Sequence, residues 1–231
     1  MSMSVKKVSG MLKQGLLILR QNLPFYIAGF LVVFALRRYY SVAGADGMGW
    51  LLYPTALWSK ALSGVPFERA AGVGFINHQV KFIIAPSCSG IRFMLITYSA
   101  LLYSFVHRMA TTPLKSAWAV LCLGVSYLFT ILVNGVRIVL SLHLLNPGTR
   151  PEWIGPETLH TYEGAALFLV SLFILYQAAD HSSRLLTGAP GQVRQGRRAA
   201  EAALGYSAPV LWYLFFLLAI PMLNRLLLLW R

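Results

Sequence analysis

Residues 116–145 read SAWAVLCLGVSYLFTILVNGVRIVLSLHLL, an apolar run broken by Asn134 and Arg137. A helix crossing a bilayer upright needs roughly 20 such residues, and this run exceeds that length. It predicts either one tilted span or a helix that crosses by about residue 133 and then continues along the interface. The rest of the chain agrees with a membrane setting. Of its 231 residues 57% are hydrophobic and only 12% charged, with a mean hydropathy of +0.63, too much apolar surface for a soluble domain of this size to bury.

Working outward toward the N-terminus, the polar connection 107–115 with Pro113 separates this run from a second span at 89–106. Before it lies the longest extramembrane stretch, 43–87, rich in Gly, Pro and Trp. Within it, residues 48–63 are apolar but too short and interrupted to cross, which predicts a helix lying in the interface. Residues 72–84 alternate apolar and polar around Asn77 and His78, the pattern of a small β-hairpin. A first span at 23–42 ends in Arg37 and Arg38, which must snorkel to an interface. No small-residue cleavage site follows it, so that run is expected to stay in the mature protein. Toward the C-terminus, Pro147, Gly148, Pro151, Gly155 and Pro156 mark a loop at 146–158. A fourth span follows at 159–177 and a last one at 208–229.

The expected fold is therefore an all-α polytopic membrane protein of about five transmembrane helices, with an extracytoplasmic interfacial helix and a small β-hairpin. Four segments follow: a basic amphipathic tail (1–22), a membrane core (23–178), a basic loop (179–206) and a C-terminal transmembrane helix (207–231). No internal repeat is visible. Lys and Arg total 20 against 7 Asp and Glu, a net charge of +13. In this setting the charge reads as flanks anchored on anionic lipid rather than as a nucleic-acid surface. Each side of the membrane receives about 10 of the 20 cations, but the dense clusters in the tail and in 184–198 favour a cytoplasmic location for those segments. Two cysteines exclude a disulfide scaffold.

Three places carry chemistry. Cys88, in Pro86-Ser87-Cys88-Ser89-Gly90-Ile91-Arg92, sits where a loop becomes a span. A helix start and Arg92 one turn on would both favour the nucleophilic form of its thiol. The plainer reading is a small interfacial hydrophobe beside a turn glycine. Asn134 and Arg137 share one face of an apolar run, where an arginine is costly and marks a site or an internal partner, unless it snorkels at the boundary. His160 opens the fourth span with Glu163 and Gly164 one turn later. It suits proton transfer, although a lone boundary histidine is more often interfacial. Cys122, in mid-span, reads as core packing. Span parity places Cys88, Arg137 and His160 on one face of the membrane whichever way the protein inserts, which makes a shared site the better account.

Pro86-Ser87-Cys88-Ser89-Gly90-Ile91-Arg92, then Asn134-Gly135-Val136-Arg137-Ile138, then His160 with Gly164, resemble the three ordered signature blocks of the exosortase/archaeosortase family. That resemblance covers residues 51–178. It implies a polytopic cysteine transpeptidase acting on C-terminal sorting signals, with Cys88, Arg137 and His160 as its catalytic residues and Arg92, Asn134, Gly90 and Gly164 in support. It further implies a cell (inner) membrane location with the active site on the extracytoplasmic face. The substrate would be a membrane-tethered protein whose tail has a hydrophobic helix and a basic end. No metal or cofactor is called for. Two rivals differ in class. A small-solute transporter would use Arg137 and His160 but has no need of Cys88. A non-catalytic scaffold for surface-polymer assembly would tolerate loss of all three.

Overall fold

The computed structural model describes residues 5–144 and 155–186, together with 211, 214 and 215. Among them are four helices long and apolar enough to cross a membrane: Leu17–Val42, Pro86–Arg108, Thr112–Leu144 and Thr158–Leu186. The expected last span at 208–229 lies almost wholly outside the described residues.

α1 (Val5–Val42) is one helix that runs from the basic lead-in through the first span, Pro24 included. α3 (Ile91–Phe105) is the centre of the bundle. Of the most apolar window around it 83% is buried, against 11% in the first span and 17% in the last described one. The reason is visible in its sequence, which is apolar or small all round, from Phe93 to Leu102, so that every face can meet protein. α4 (Thr112–Leu144) is unbroken, which decides between the two readings of 116–145 in favour of a single long helix. Its 33 residues extend about 50 Å, more than a hydrocarbon core requires.

The buried stripe of α4 is Trp118, Cys122, Ser126, Thr130, Asn134, Arg137 and Ser141, at steps of three or four residues. Its lipid-side face shows Val120, Leu121, Leu128, Leu132, Val136 and Leu140. Small residues in the middle of the stripe allow helices to approach closely, and polar ones at its end build a site. α5 (Pro156–Leu186) packs on α3 and α4, and Phe168 stacks on Phe93 of α3 at 4.4 Å between ring centroids. Polarity rises at 177, where the sequence predicts the end of this helix. It continues because Asp180 takes a hydrogen bond from Arg108 at 2.6 Å and another from Arg184 at 3.0 Å, while Ser183 accepts from Arg108 at 2.8 Å.

α2 (Gly49–Ser63) confirms the short helix expected at 48–63 and packs along α4. Trp58 donates its indole N–H to the Leu132 carbonyl at 3.2 Å, in a niche left by Gly135, where any Cβ would collide with the indole. Tyr127 reaches the Trp50 carbonyl at 2.9 Å. The hairpin expected at 72–84 is the later part of a three-stranded antiparallel sheet: β1 (Glu68–Ala70), β2 (Gly74–Asn77) and β3 (Phe82–Ile84), in that order. Glu68 pairs with Ile76, and Ile76 with Ile83. β1 escaped the pattern because Glu68 and Arg69 are exposed and Ala70 is only half-buried, so no alternation marks it. Asp46 ties the first turn by accepting from Arg69 and from the Gly72 N–H, each at 3.0 Å, and these contacts hold its carboxyl below the usual range. Phe75 and Ile84 close the sheet onto Met48, Leu51 and Leu52 of the α2 segment.

Candidate active site

β3 delivers the chain directly to Cys88. After extended Ala85, Pro86–Cys88 form a 3-10 turn in which Cys88 N–H meets the Ala85 carbonyl at 2.8 Å. The cysteine thus precedes α3 rather than lying in its first turn. Gly90 intervenes with φ +75°, a left-handed conformation that costs an L-residue energy. A Cβ at Gly90 would also lie 3.0 Å from the Thr130 methyl and 3.1 Å from Asn134 Cγ. That bare backbone lets α4 close on the turn, and Asn134 Nδ2 donates to the Cys88 carbonyl at 2.6 Å.

Arg137 lies one turn beyond Asn134 and is 8% exposed. Its Nη1 donates to Asn134 Oδ1 at 3.3 Å and its Nη2 to His160 Nε2 at 2.6 Å. Its guanidinium sits 5.4 Å from the centroid of Phe168, a cation over a ring face. Gly164 makes room for it, since a Cβ there would be 3.0 Å from Arg137 Nε and 3.3 Å from Cδ. The Cys88 thiol lies against the His160 imidazole, with the charge of Arg137 close by and the Ser87 hydroxyl at 4.0 Å. A cavity of about 320 Å³ opens beside this group, bounded by Ser87, Ser89, Arg92, Arg137, His160 and Phe168 among others.

The structure therefore brings Cys88, Asn134, Arg137, His160 and Gly164 into one connected group. Arg92 does not join it. It is exposed, lines the cavity and faces Arg37 of α1, so the cation next to Cys88 is Arg137 from α4. Cys122 is 2% exposed in the apolar core, remote from this chemistry. Among the described residues, no group of three or more His, Cys, Asp or Glu side chains comes together as a metal site.

A family model described as transmembrane exosortase matches residues 12–177. The chain belongs to the transmembrane exosortase family. No curated protein and no solved structure matches it. The matched region contains every residue of the group just described, and with it α1 to α4 almost entire.

One member of the group escaped sequence reasoning. Ser141 Oγ stands 2.8 Å from His160 Nδ1 and donates to Glu163 Oε2 at 2.8 Å. A serine in an apolar helix carries little signal alone. The available clue was its register, four residues after Arg137 and seven after Asn134, which puts all three on one helical face.

Proposed function

We propose that this exosortase-family chain is an integral-membrane cysteine peptidase and transpeptidase that processes the C-terminal sorting signals of exported proteins through an acyl-enzyme. The observation that carries the reading is the union of a half-buried thiol with an imidazole and a buried guanidinium that line one cavity, the thiol's neighbours Ser87 and Ser89 lining it too. A nucleophile, a proton carrier and a fixed cation for a developing oxyanion are the parts that acyl transfer needs.

In this mechanism His160 takes the Cys88 proton and the thiolate attacks the substrate carbonyl carbon. For this Arg137 must first leave His160 Nε2 for the substrate carbonyl oxygen, which frees the Nε2 lone pair; a C–S bond then forms while the carbonyl π pair moves to that oxygen, held by Arg137 as the oxyanion. Collapse breaks the C–N bond, and the departing amine receives its proton from His160. An incoming amine or water then loses a proton to His160, attacks the thioester and expels the Cys88 thiolate. The substrate is a membrane-tethered protein with a short recognition segment, a hydrophobic helix and a basic tail. Such a substrate presents its recognition segment on the extracytoplasmic face of the cell membrane, which sets the orientation of the site.

The test is a Cys88→Ala variant expressed with a tailed substrate. It should insert stably and accumulate the uncleaved protein, as should Arg137→Ala and His160→Ala. Continued cleavage by Cys88→Ala would refute the mechanism, and unaltered surface-polymer assembly in all three would favour a scaffold.

A further inference from the structure

His160 is clamped between two turns of α4, and the donor count of the clamp has one solution. A guanidinium only donates hydrogen bonds, so at 2.6 Å from Arg137 Nη2 the His160 Nε2 must present its lone pair. Ser141 has a single hydroxyl proton, and it is given to Glu163 Oε2 at 2.8 Å. The 2.8 Å contact between Ser141 Oγ and His160 Nδ1 must then run from Nδ1–H to the hydroxyl oxygen. All three links then run in one direction: guanidinium to imidazole, imidazole to hydroxyl, hydroxyl to carboxylate. Reversing any link places two donors or two acceptors face to face.

We propose that Ser141 and Glu163 are positioning residues that lock His160 as the Nδ1–H tautomer and so make Nε2 its working nitrogen. This inference rests on the reading of His160 as the proton carrier. Glu163 supplies the directional pull. Its side chain is 7% exposed, its Oε2 lies 3.8 Å from His160 Nδ1, and its Oε1 is buried with no hydrogen-bond partner. A carboxylate held by a single hydroxyl transmits its full preference through that hydroxyl. Ser141 supplies geometry, because a hydroxyl one turn from Arg137 fits the width of the imidazole between the two side chains. When His160 accepts a proton at Nε2, the positive ring keeps its Nδ1–H on Ser141 and faces the Glu163 charge, so the ring stays in place during the transfer. Neither residue touches substrate in this scheme.

The test reads the tautomer directly and needs no substrate. Protein labelled with ¹⁵N-histidine in detergent micelles, with a His160→Gln sample to assign the signal, should show a protonated Nδ1 and an unprotonated Nε2. Ser141→Ala should convert this to a mixture of tautomers, and Ser141→Thr, which keeps the hydroxyl, should restore the original pattern. Glu163→Gln, with a side chain that can donate to Ser141, should also lose the single tautomer. In parallel, the rate at which iodoacetamide alkylates Cys88 should fall roughly 10- to 100-fold in Ser141→Ala, the effect of losing one hydrogen bond to a charged partner. An Nε2–H tautomer in the wild type would overturn the proposal, as would an unchanged signal in both Ser141→Ala and Glu163→Gln. If Ser141→Ala does not fold, the Glu163→Gln spectrum decides alone. If the tautomer responds as expected while no tailed substrate is cleaved by any form, the relay stands and the peptidase reading falls.

Discussion

Replacing Gly164 by alanine should separate the stability of this protein from its chemistry. The added Cβ would lie 3.0 Å from Arg137 Nε, 3.3 Å from Cδ and 3.6 Å from Cζ, where ordinary contacts begin at 3.4 Å. Gly164 is helical, so alanine suits its backbone and gains about 1 kcal/mol in helix propensity. Slight overpacking costs a similar amount, about 1 kcal/mol. The two offset, and Tm in micelles should stay within about 4 °C of the wild type. The guanidinium has less freedom. Phe168 lies under it, Asn134 holds Nη1 and His160 holds Nη2, so the relief must come from moving the whole group by about 0.4 Å toward the cavity. An error of 1 Å costs about 100-fold in a positioned reaction, and this smaller shift should cost roughly 5- to 10-fold. The assay is the rate of tail removal from a reconstituted substrate, measured beside thermal unfolding of the same samples. Wild-type activity within twofold would refute the claim that Gly164 exists to seat Arg137. A fall of more than 10 °C in Tm would show instead that it serves helix packing.

Other perturbations follow from the same geometry. Asn134→Ala removes the donor to the Cys88 carbonyl and the acceptor for Arg137 Nη1, so both unfolding stability and cleavage should fall, the former by about 1–3 kcal/mol; unchanged chemical denaturation would count against the buried bond. A polar maleimide should label half-buried Cys88 well before Cys122, and Cys88→Ala should abolish fast labelling. In spheroplasts the impermeant reagent should reach Cys88 without permeabilisation, whereas labelling only after permeabilisation would reverse the proposed orientation. Asp180→Asn should lower Tm by loosening Arg108 from α5 at the other end of the bundle, yet leave Cys88 labelling unchanged; altered labelling would mean the two ends are coupled.

The spans were legible because each is an apolar run between polar punctuation, and lipid demands little else of them. The parts that escaped were those decided by contacts far apart in the sequence. Residues 178–186 read as loop from their polarity, yet Arg108, some seventy positions earlier, turns Asp180 and Ser183 into internal partners and so extends α5. β1 is likewise defined by its pairing with β2 and by Asp46 gripping Arg69, neither of which leaves a periodic trace.

The site divides in the same way. Cys88, Arg137 and His160 could be grouped from span parity alone, because alternate helix ends must share a side of the membrane. Parity, however, fixes a side and not an angle around each helix. Arg92 is on the right side, but Gly90 turns the backbone between Cys88 and α3, so the cysteine does not ride the helical face that Arg92 continues. The cation that reaches the thiol comes instead from α4, whose angle is set by Thr130 and Asn134 resting on that same glycine. Gly90 thus performs two linked tasks: it ends the 3-10 turn in a conformation open to glycine, and it admits the helix that carries Arg137. A substitution to alanine there meets both a positive φ and contacts near 3.0 Å. Unlike Gly164→Ala, Gly90→Ala should therefore lose fold and function together, by about 2–6 kcal/mol from backbone strain and overpacking combined. A Gly90→Ala protein that melts like the wild type but no longer holds Cys88 near His160 would show that the turn, and not the packing of α4, places the thiol.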